Sequence, residues 1–247
     1  MAEGEAPRVP ESMVVPKSAG PHMGFDASSL RYHLLVPHVE SPAQRELLAD
    51  AYRCWRVVWG QTLLELDGSE RVFSDDLTRQ HELGALFYAG RCIGLTGYRW
   101  LDLSLCVHRD DSYFKVWQAE LLEEIAKSSA RVCVGSNLTV LPEWRGSIAG
   151  YSVKEILMAL AVERFLASDA DAMLGTMRND RGMNGLVYRL GARALVENVV
   201  HHGVAVDLVR WTRGAMGPVA PRPATAALVR DLWCESWIGR RHEERAG

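Results

Sequence analysis

The stretch from Val132 to Ala192 constrains this chain most, because it runs strand, loop, long helix, strand, short helix. The first strand, Val132-Cys133-Val134-Gly135-Ser136-Asn137-Leu138-Thr139-Val140, ends at Leu141-Pro142, where proline removes a ladder donor and restricts the residue before it. A polar, glycine-bearing loop, Glu143 to Tyr151, follows. Ser152-Val153-Lys154-Glu155 then has the form of a capping box, serine at the N-cap and glutamate three residues on. The helix it opens carries Val153, Ile156, Leu157, Leu160, Ala161 and Phe165 on one side. A strand that enters a helix through such a loop is a place to hold an anion, since the first helical turn offers unpaired N–H groups and the positive dipole end.

The rest of the chain reads as support. Residues 1 to 28 are rich in proline, glycine and small polar residues without periodicity and are expected to form a flexible lead. Leu30 to Val36 is strand-like. Ser41-Pro42-Ala43-Gln44 announces a helix with Leu47, Leu48, Ala51, Cys54, Trp55, Val58 and Trp59 on one stripe. The segments Glu82 to Ala89 and Cys92 to Leu101, separated by Gly90-Arg91, read as an antiparallel hairpin. Ser112 to Lys127 reads as a second amphipathic helix, with Phe114, Trp117, Leu121, Leu122 and Ile125 inward. Ala194 to Val200 and Val204 to Trp211 are two strands around His201-His202-Gly203, and Pro223 to Arg241 is helical with Leu228, Leu232, Trp233 and Trp237 as its apolar side. Hairpins with helices between them imply an α+β (mixed α/β) fold around one sheet.

Composition bounds the function. A net charge of −3 speaks against a general nucleic-acid binder. Five cysteines without a C-x-x-C pair fit reduced, mostly buried thiols better than a disulfide framework or a zinc site. No apolar run approaches the ~20 residues of a membrane helix and no secretory core opens the chain. A cytoplasmic protein is expected.

From Ser41 to Arg213 the chain resembles the GNAT superfamily of N-acyltransferases. Val140-Leu141-Pro142-Glu143-Trp144-Arg145-Gly146 is similar to the family's V-x-P-E-x-R-G, and Val187-Tyr188-Arg189-Leu190-Gly191-Ala192 to its L-Y-x-x-L-G-F. The resemblance implies a central, mostly antiparallel sheet flanked by helices over residues 29–213, with 214–247 as a C-terminal helical extension. Tyr52 to Trp59, Asp75-Asp76 and His81-Glu82-Leu83-Gly84-Ala85 are further similar to the branch of autoinducer synthases and N-acyl amino acid synthases, which take acyl groups from an acyl carrier protein or a longer acyl-CoA.

The activity so implied is direct transfer of an acyl group from a thioester, on coenzyme A or on the phosphopantetheine of a carrier protein, to a small-molecule amine. Tyr188 would be the general acid for the leaving thiolate, and the backbone of Leu138, Thr139 and Val140 would align the pantetheine arm. Arg145, Gly146, Ser147, Ala149, Gly150 and Tyr151 would form the phosphate loop, with Asn184, or Asn179, reaching the donor in place of an asparagine that the family has where this chain has Arg181. His81 is a candidate base facing the acceptor, beside Glu143 and Asp102. Ile148 stands where the loop expects glycine. There its β-branched side chain would crowd a pyrophosphate and make a positive φ costly, favouring a donor with a single phosphate. Arg178, Arg181, Arg189 and Arg193 would steer an acidic carrier protein. His201-His202 has no third ligand in evidence and reads as structural; no metal is required. A homodimer is left open, and no nucleic-acid partner is implied. Two other readings stand beside this one: a non-catalytic module of the same fold that binds acyl-CoA or a protein partner, and an acetyltransferase of protein lysines or N-termini.

Overall fold

The structure, a computed structural model, describes residues 24–37, 41–69, 71–215 and 222–246; the side chains of 215 and 237–246 lie outside the description. Among the described residues seven strands build one sheet: β1 (Leu30–Leu35), β2 (Glu82–Tyr88), β3 (Arg91–Asp102), β4 (Arg131–Val140), β7 (Ala172–Arg178), β8 (Arg193–His201) and β9 (Val204–Thr212). Their spatial order is β1-β2-β3-β4-β7-β9-β8, and every pair is antiparallel except β4 with β7. Two short strands, β5 (Ser147–Ile148) and β6 (Tyr151–Ser152), pair separately. The helices are α1 (Pro42–Asp67), α2 (Asp75–Thr78), α3 (Cys106–Arg109), α4 (Ala119–Ser128), α5 (Val153–Leu166), α6 (Met183–Arg189) and α7 (Pro223–Ala246). The expected fold class, α+β around a mostly antiparallel sheet, is therefore the one found.

Strand alternation sorts side chains to two faces. Val132, Val134, Ala172, Leu174, Val206 and Leu208 pack with Phe114, Trp117, Leu122 and Ile125 around α4. The intervening Cys133, Met173, Val209 and Trp211 belong with Ile156, Leu160 and Phe165 of α5. Helix α5 opens with the Ser152 half of the capping box, its hydroxyl accepting from the Glu155 N–H at 3.4 Å, while the Glu155 carboxylate accepts from Arg222 at 2.9 Å instead of closing the box. Its burial is wider than one stripe, because Met158, Ala159 and Val162 are also enclosed. A charged pair crosses the interior, Arg164 of α5 donating to Glu82 of β2, with the guanidinium 4.5 Å from the Trp100 ring centre.

Two predicted boundaries shift, while α1 begins at Pro42 as expected. The first hairpin turns at Ala89-Gly90, not Gly90-Arg91, with φ of 48° and 82°. This left-handed pair matches the twist of the strands and lets Tyr88 pair with Arg91. The helix expected from Ser112 begins only at Ala119. Asp111 accepts from the Tyr113 N–H at 2.8 Å and pairs with Arg99, which holds Ser112–Phe114 as a separate 3₁₀ turn. Ser41 caps α1 through its backbone carbonyl, which accepts from Arg45 N at 3.1 Å, with no side-chain cap bond. Of the lead, residues 1–23 lie outside the described residues; within residues 24–28, Phe25 stacks on Tyr88 at 5.4 Å. The side chain of Trp237 also lies outside them, while Val229 and Leu232 of α7 are buried and Trp233 sits 6.4 Å from Tyr32 of β1.

Candidate functional site

The two parallel strands supply the site by separating. β4 and β7 pair only through Val132↔Ala172, Cys133↔Met173 and Val134↔Leu174. Beyond that point a cavity of about 630 Å³ opens between them. On its other edge β4 bulges: Leu95 faces Thr139 and Gly97 faces Ser136, so Asn137 and Leu138 have no register partner on β3. Asn137 takes the left-handed conformation, φ 55°, which asparagine tolerates better than most residues. Two α1 tryptophans hold the bulge. Trp55 Nε1 donates to Asn137 Oδ1 at 3.2 Å, and Trp59 Nε1 donates to Thr139 Oγ1 at 3.0 Å, whose hydroxyl donates on to the Asn137 carbonyl at 2.7 Å. The Asn137 amide in turn donates to the Asp76 carbonyl of α2 at 3.1 Å.

The cavity walls divide by chemistry. Seven basic side chains line it, Arg79, Arg99, Lys115, Arg145, Lys154, Arg178 and Arg181. Arg79, Arg99, Arg178 and Arg181 are paired with Asp76, Asp111, Asp180 and Glu65, so among the described residues Lys115, Arg145 and Lys154 are the cations left to favour an anion in a site walled by low-dielectric protein. Four methionines, Met158, Met173, Met177 and Met183, add an apolar wall with Ala161 and Trp211. Methionine's flexible thioether lets such a wall fit chains of varied shape.

Of the residues predicted for donor binding, Leu138, Val140 and Arg145 line this cavity, and Thr139 sits beside it in the clamped bulge. The Arg145 Nε–H donates to the Val140 carbonyl at 3.2 Å, which ties the arginine to the strand end. Gly146, Ser147, Ala149, Gly150 and Tyr151 are outside the lining. Their segment is not an open cradle. Ser147 pairs with Ser152 and Ile148 with Tyr151 around Ala149-Gly150, whose φ values are 48° and 85°. The left-handed positions therefore fall on Ala149 and Gly150. Ile148 is a strand residue whose side chain is buried with the core beside α5, so it neither strains the turn nor crowds the site as expected. Ile148→Ala should accordingly lower stability by about 2 kcal/mol in denaturant titration, the usual cost of truncating a buried aliphatic side chain.

Tyr188 and Asn184 also sit apart from the cavity lining. The Tyr188 hydroxyl donates to Asp207 Oδ2 at 2.6 Å. Asp207, 3% exposed, further accepts from Asn179 Nδ2 at 2.9 Å, Asn184 Nδ2 at 3.2 Å and the Asn198 N–H at 2.9 Å. Burial pushes the Asp207 carboxyl up, but these donors outweigh it and hold its pKa below the ordinary carboxylate value. Burial and then the adjacent Asp207 push the Tyr188 phenol upward. Tyr188→Phe should cost about 1.5–3 kcal/mol, the range for a hydrogen bond to a charged group, while leaving any turnover within about threefold. A larger loss of turnover, measured on folded variant, would return the phenol to the chemistry.

His81, the candidate base, is exposed and outside the cavity. Its Nδ1 accepts from the Trp100 N–H at 3.0 Å, and burial, Arg99 and His108 lower its pKa. Glu143 lies 3.4 Å from Arg91, and Asp102 accepts from Ser104; neither lines the cavity. Of the four arginines expected to steer a carrier, Arg178 and Arg181 reach the cavity, and Arg189 and Arg193 do not.

Sequence reading missed Trp59, Asn137, the methionine wall and the tip of the β8–β9 hairpin. His201 and His202 of that tip line the cavity. His202 Nδ1 is 3.0 Å from Asp67 Oδ1 at the end of α1, and its Nε2 is 3.2 Å from Lys115 Nζ. Among the described residues no group of histidine, cysteine and acidic side chains is arranged to hold a metal, and no helix is long and apolar enough to cross a membrane.

No protein-family model matches the chain, and neither does any curated protein. Solved structures do. The chain is similar to BjaI, a CoA-dependent acyl-homoserine lactone synthase solved with SAM and isopentyl-CoA, at a TM-score of 0.50 and 14% identity over 82% of this chain and 88% of that one. It is also similar to FeeM, an N-acyl amino acid synthase from uncultured soil microbes, at 0.47 and 12% over 74% and 91%, and to Escherichia coli ElaA at 0.46 and 10% over 73% and 98%. The first of these likenesses shows a shared fold, the GNAT-like one that the sequence resemblance implies.

Proposed function

We propose that this chain is an N-acyltransferase that moves an acyl group from a thioester to a small-molecule amine by direct attack. The observation that carries the reading is the split between β4 and β7, with the bulge at Asn137-Leu138 on its rim. A thioester lying in the split meets backbone at Leu138 that is released from regular pairing, where an N–H can polarise the carbonyl. Cavity volume supports a molecule of ordinary ligand size.

The lining supports finer assignments. Arg145 and Lys154 suit the donor's phosphate, and the methionine wall suits an acyl chain longer than acetyl. Lys115, Arg145 and Lys154, the lining cations not paired with a carboxylate among the described residues, favour an amine that itself carries an anionic substituent. As a donor, the phosphopantetheine of an acyl carrier protein fits better than coenzyme A, because the β5–β6 hairpin commits the backbone that a pyrophosphate cradle would use. An acyl thioester of coenzyme A remains the natural comparison, since the structurally similar BjaI was solved with isopentyl-CoA.

One observation favours a second reading, a donor-binding module without chemistry: the Tyr188 hydroxyl is committed to Asp207. Native mass spectra of the protein with octanoyl carrier protein and with octanoyl-CoA, each plus mixed amino acids, separate the two. Loss of thioester with a new amide mass is expected, faster from the carrier. A stoichiometric complex with the thioester intact would favour the module.

A further inference from the structure

Resting on the acyl-transfer reading, we propose that His201 is the residue that takes the proton from the attacking amine nitrogen, and that His202 is its positioning residue. The placement comes from the hairpin tip. His202 bridges two elements outside the sheet, Asp67 at the end of α1 and Lys115 before α4. An ammonium can only donate, so Lys115 makes His202 Nε2 the acceptor and leaves Nδ1–H to donate to Asp67. That fixes the ring's tautomer and fastens the tip over the cavity. The His201 ring lies 4.2 Å from the His202 ring, centre to centre, and forms part of the cavity wall.

The other groups on the wall that could receive a proton are already engaged. Asp76, the one carboxylate in the lining, is paired with Arg79. His202 has both nitrogens occupied. His201 stays unprotonated at neutral pH: burial, then His202 and Lys115, lower its pKa to about 4, with Asp67 opposing them. So weak a base is mismatched to a free ammonium. It is better matched to the nitrogen of the tetrahedral adduct, which is more acidic than the free ammonium, and Lys115, Arg145 and Lys154 on the wall disfavour the amine's protonated form.

The step balances as follows. The neutral amine's lone pair forms the C–N bond, and the carbonyl π pair moves to oxygen. His201 accepts a proton from the now cationic nitrogen. The oxygen pair returns, the C–S bond breaks with its electrons on sulfur, and the imidazolium gives its proton to that thiolate. Amide and thiol leave, and the histidine is neutral again.

The test measures amine-dependent thiol release by the full chain from octanoyl carrier protein, with mixed amino acids as acceptors. His201→Ala should lower it about 100-fold, within the usual span for general-base catalysis, with donor binding unchanged within about twofold. Added imidazole should restore about tenfold. His201→Gln, which keeps a polar side chain at the tip but cannot carry the proton, should show the same deficit. A wild-type rate in either variant, or a deficit that imidazole does not relieve, overturns the proposal. If the unaltered protein releases no thiol, the acyl-transfer reading fails separately. Histidine NMR then decides the contact: a His201 ring signal that moves on adding glycine supports it, and one that stays fixed overturns it.

Discussion

Asp207→Ala is expected to destabilise the protein by about 3 kcal/mol, the cost of removing the buried carboxylate on which four neutral donors converge. Tyr188, Asn179, Asn184 and the Asn198 N–H all donate to this one carboxylate, and its removal takes that acceptor from all four, with Asn179 keeping its bond to Asn198 Oδ1 at 3.1 Å. The effect should appear as a lowered midpoint with an unchanged denaturant slope. It also has a pH signature. The folded carboxyl lies below its unfolded value, so its stabilisation is present above the unfolded value, about 3.9, and is lost as pH falls through the lower folded one. Asp207→Asn should therefore flatten the stability profile in that acidic window. An equally steep profile in the variant would place the acid sensitivity elsewhere. The network joins the end of β7 to α6, β8 and β9, so it also holds one wall of the cavity in place.

The second large effect concerns acyl length. Met177→Trp should narrow the apolar side of the cavity, where Met177 lies at 8% exposure beside Met173 and Met183. Each methylene denied burial forfeits about 0.8 kcal/mol, roughly fourfold, so excluding three should weaken a dodecanoyl donor by about 60-fold. A butyryl donor, too short to reach the added ring, should change by less than about threefold. Competition binding with the two acyl-pantetheines measures the split. Equal losses for both chain lengths would mean that the acyl chain runs elsewhere or that the core has been overpacked.

Much of the frame is visible in local chemistry. Pro142 ends β4, Ser152 caps α5, and Gly203 follows His202 in a two-residue turn, each through a short-range rule that tertiary contacts leave in force. The site was less legible. Ser147-Ile148-Ala149-Gly150-Tyr151-Ser152 can be read as a phosphate loop, yet Ala149-Gly150 is the same turn that Ala89-Gly90 makes, and the flanking alternation sends Ile148 inward. Tyr188 sits in a motif that suggests chemistry, but its hydroxyl is claimed by Asp207, 19 residues later on a strand whose register only the folded sheet sets. The bulge at Asn137 depends on Trp55 and Trp59, some 80 residues earlier. The two histidines announce a turn; that the turn lands on Asp67 and Lys115 is a fact of the tertiary fold. Local signals gave the elements here, and long-range hydrogen bonds decided which side chains face the cavity.

The most direct test of acyl transfer in the β4–β7 split is a steady-state assay that follows free thiol and amide together, using octanoyl carrier protein with and without amines. The account predicts amine-dependent thiol release with one amide formed per thiol, and its loss when Leu138→Pro removes the backbone N–H at the bulge from a variant whose circular dichroism shows it folded. Thiol release that ignores the amine, or an undiminished rate in the folded proline variant, would contradict it.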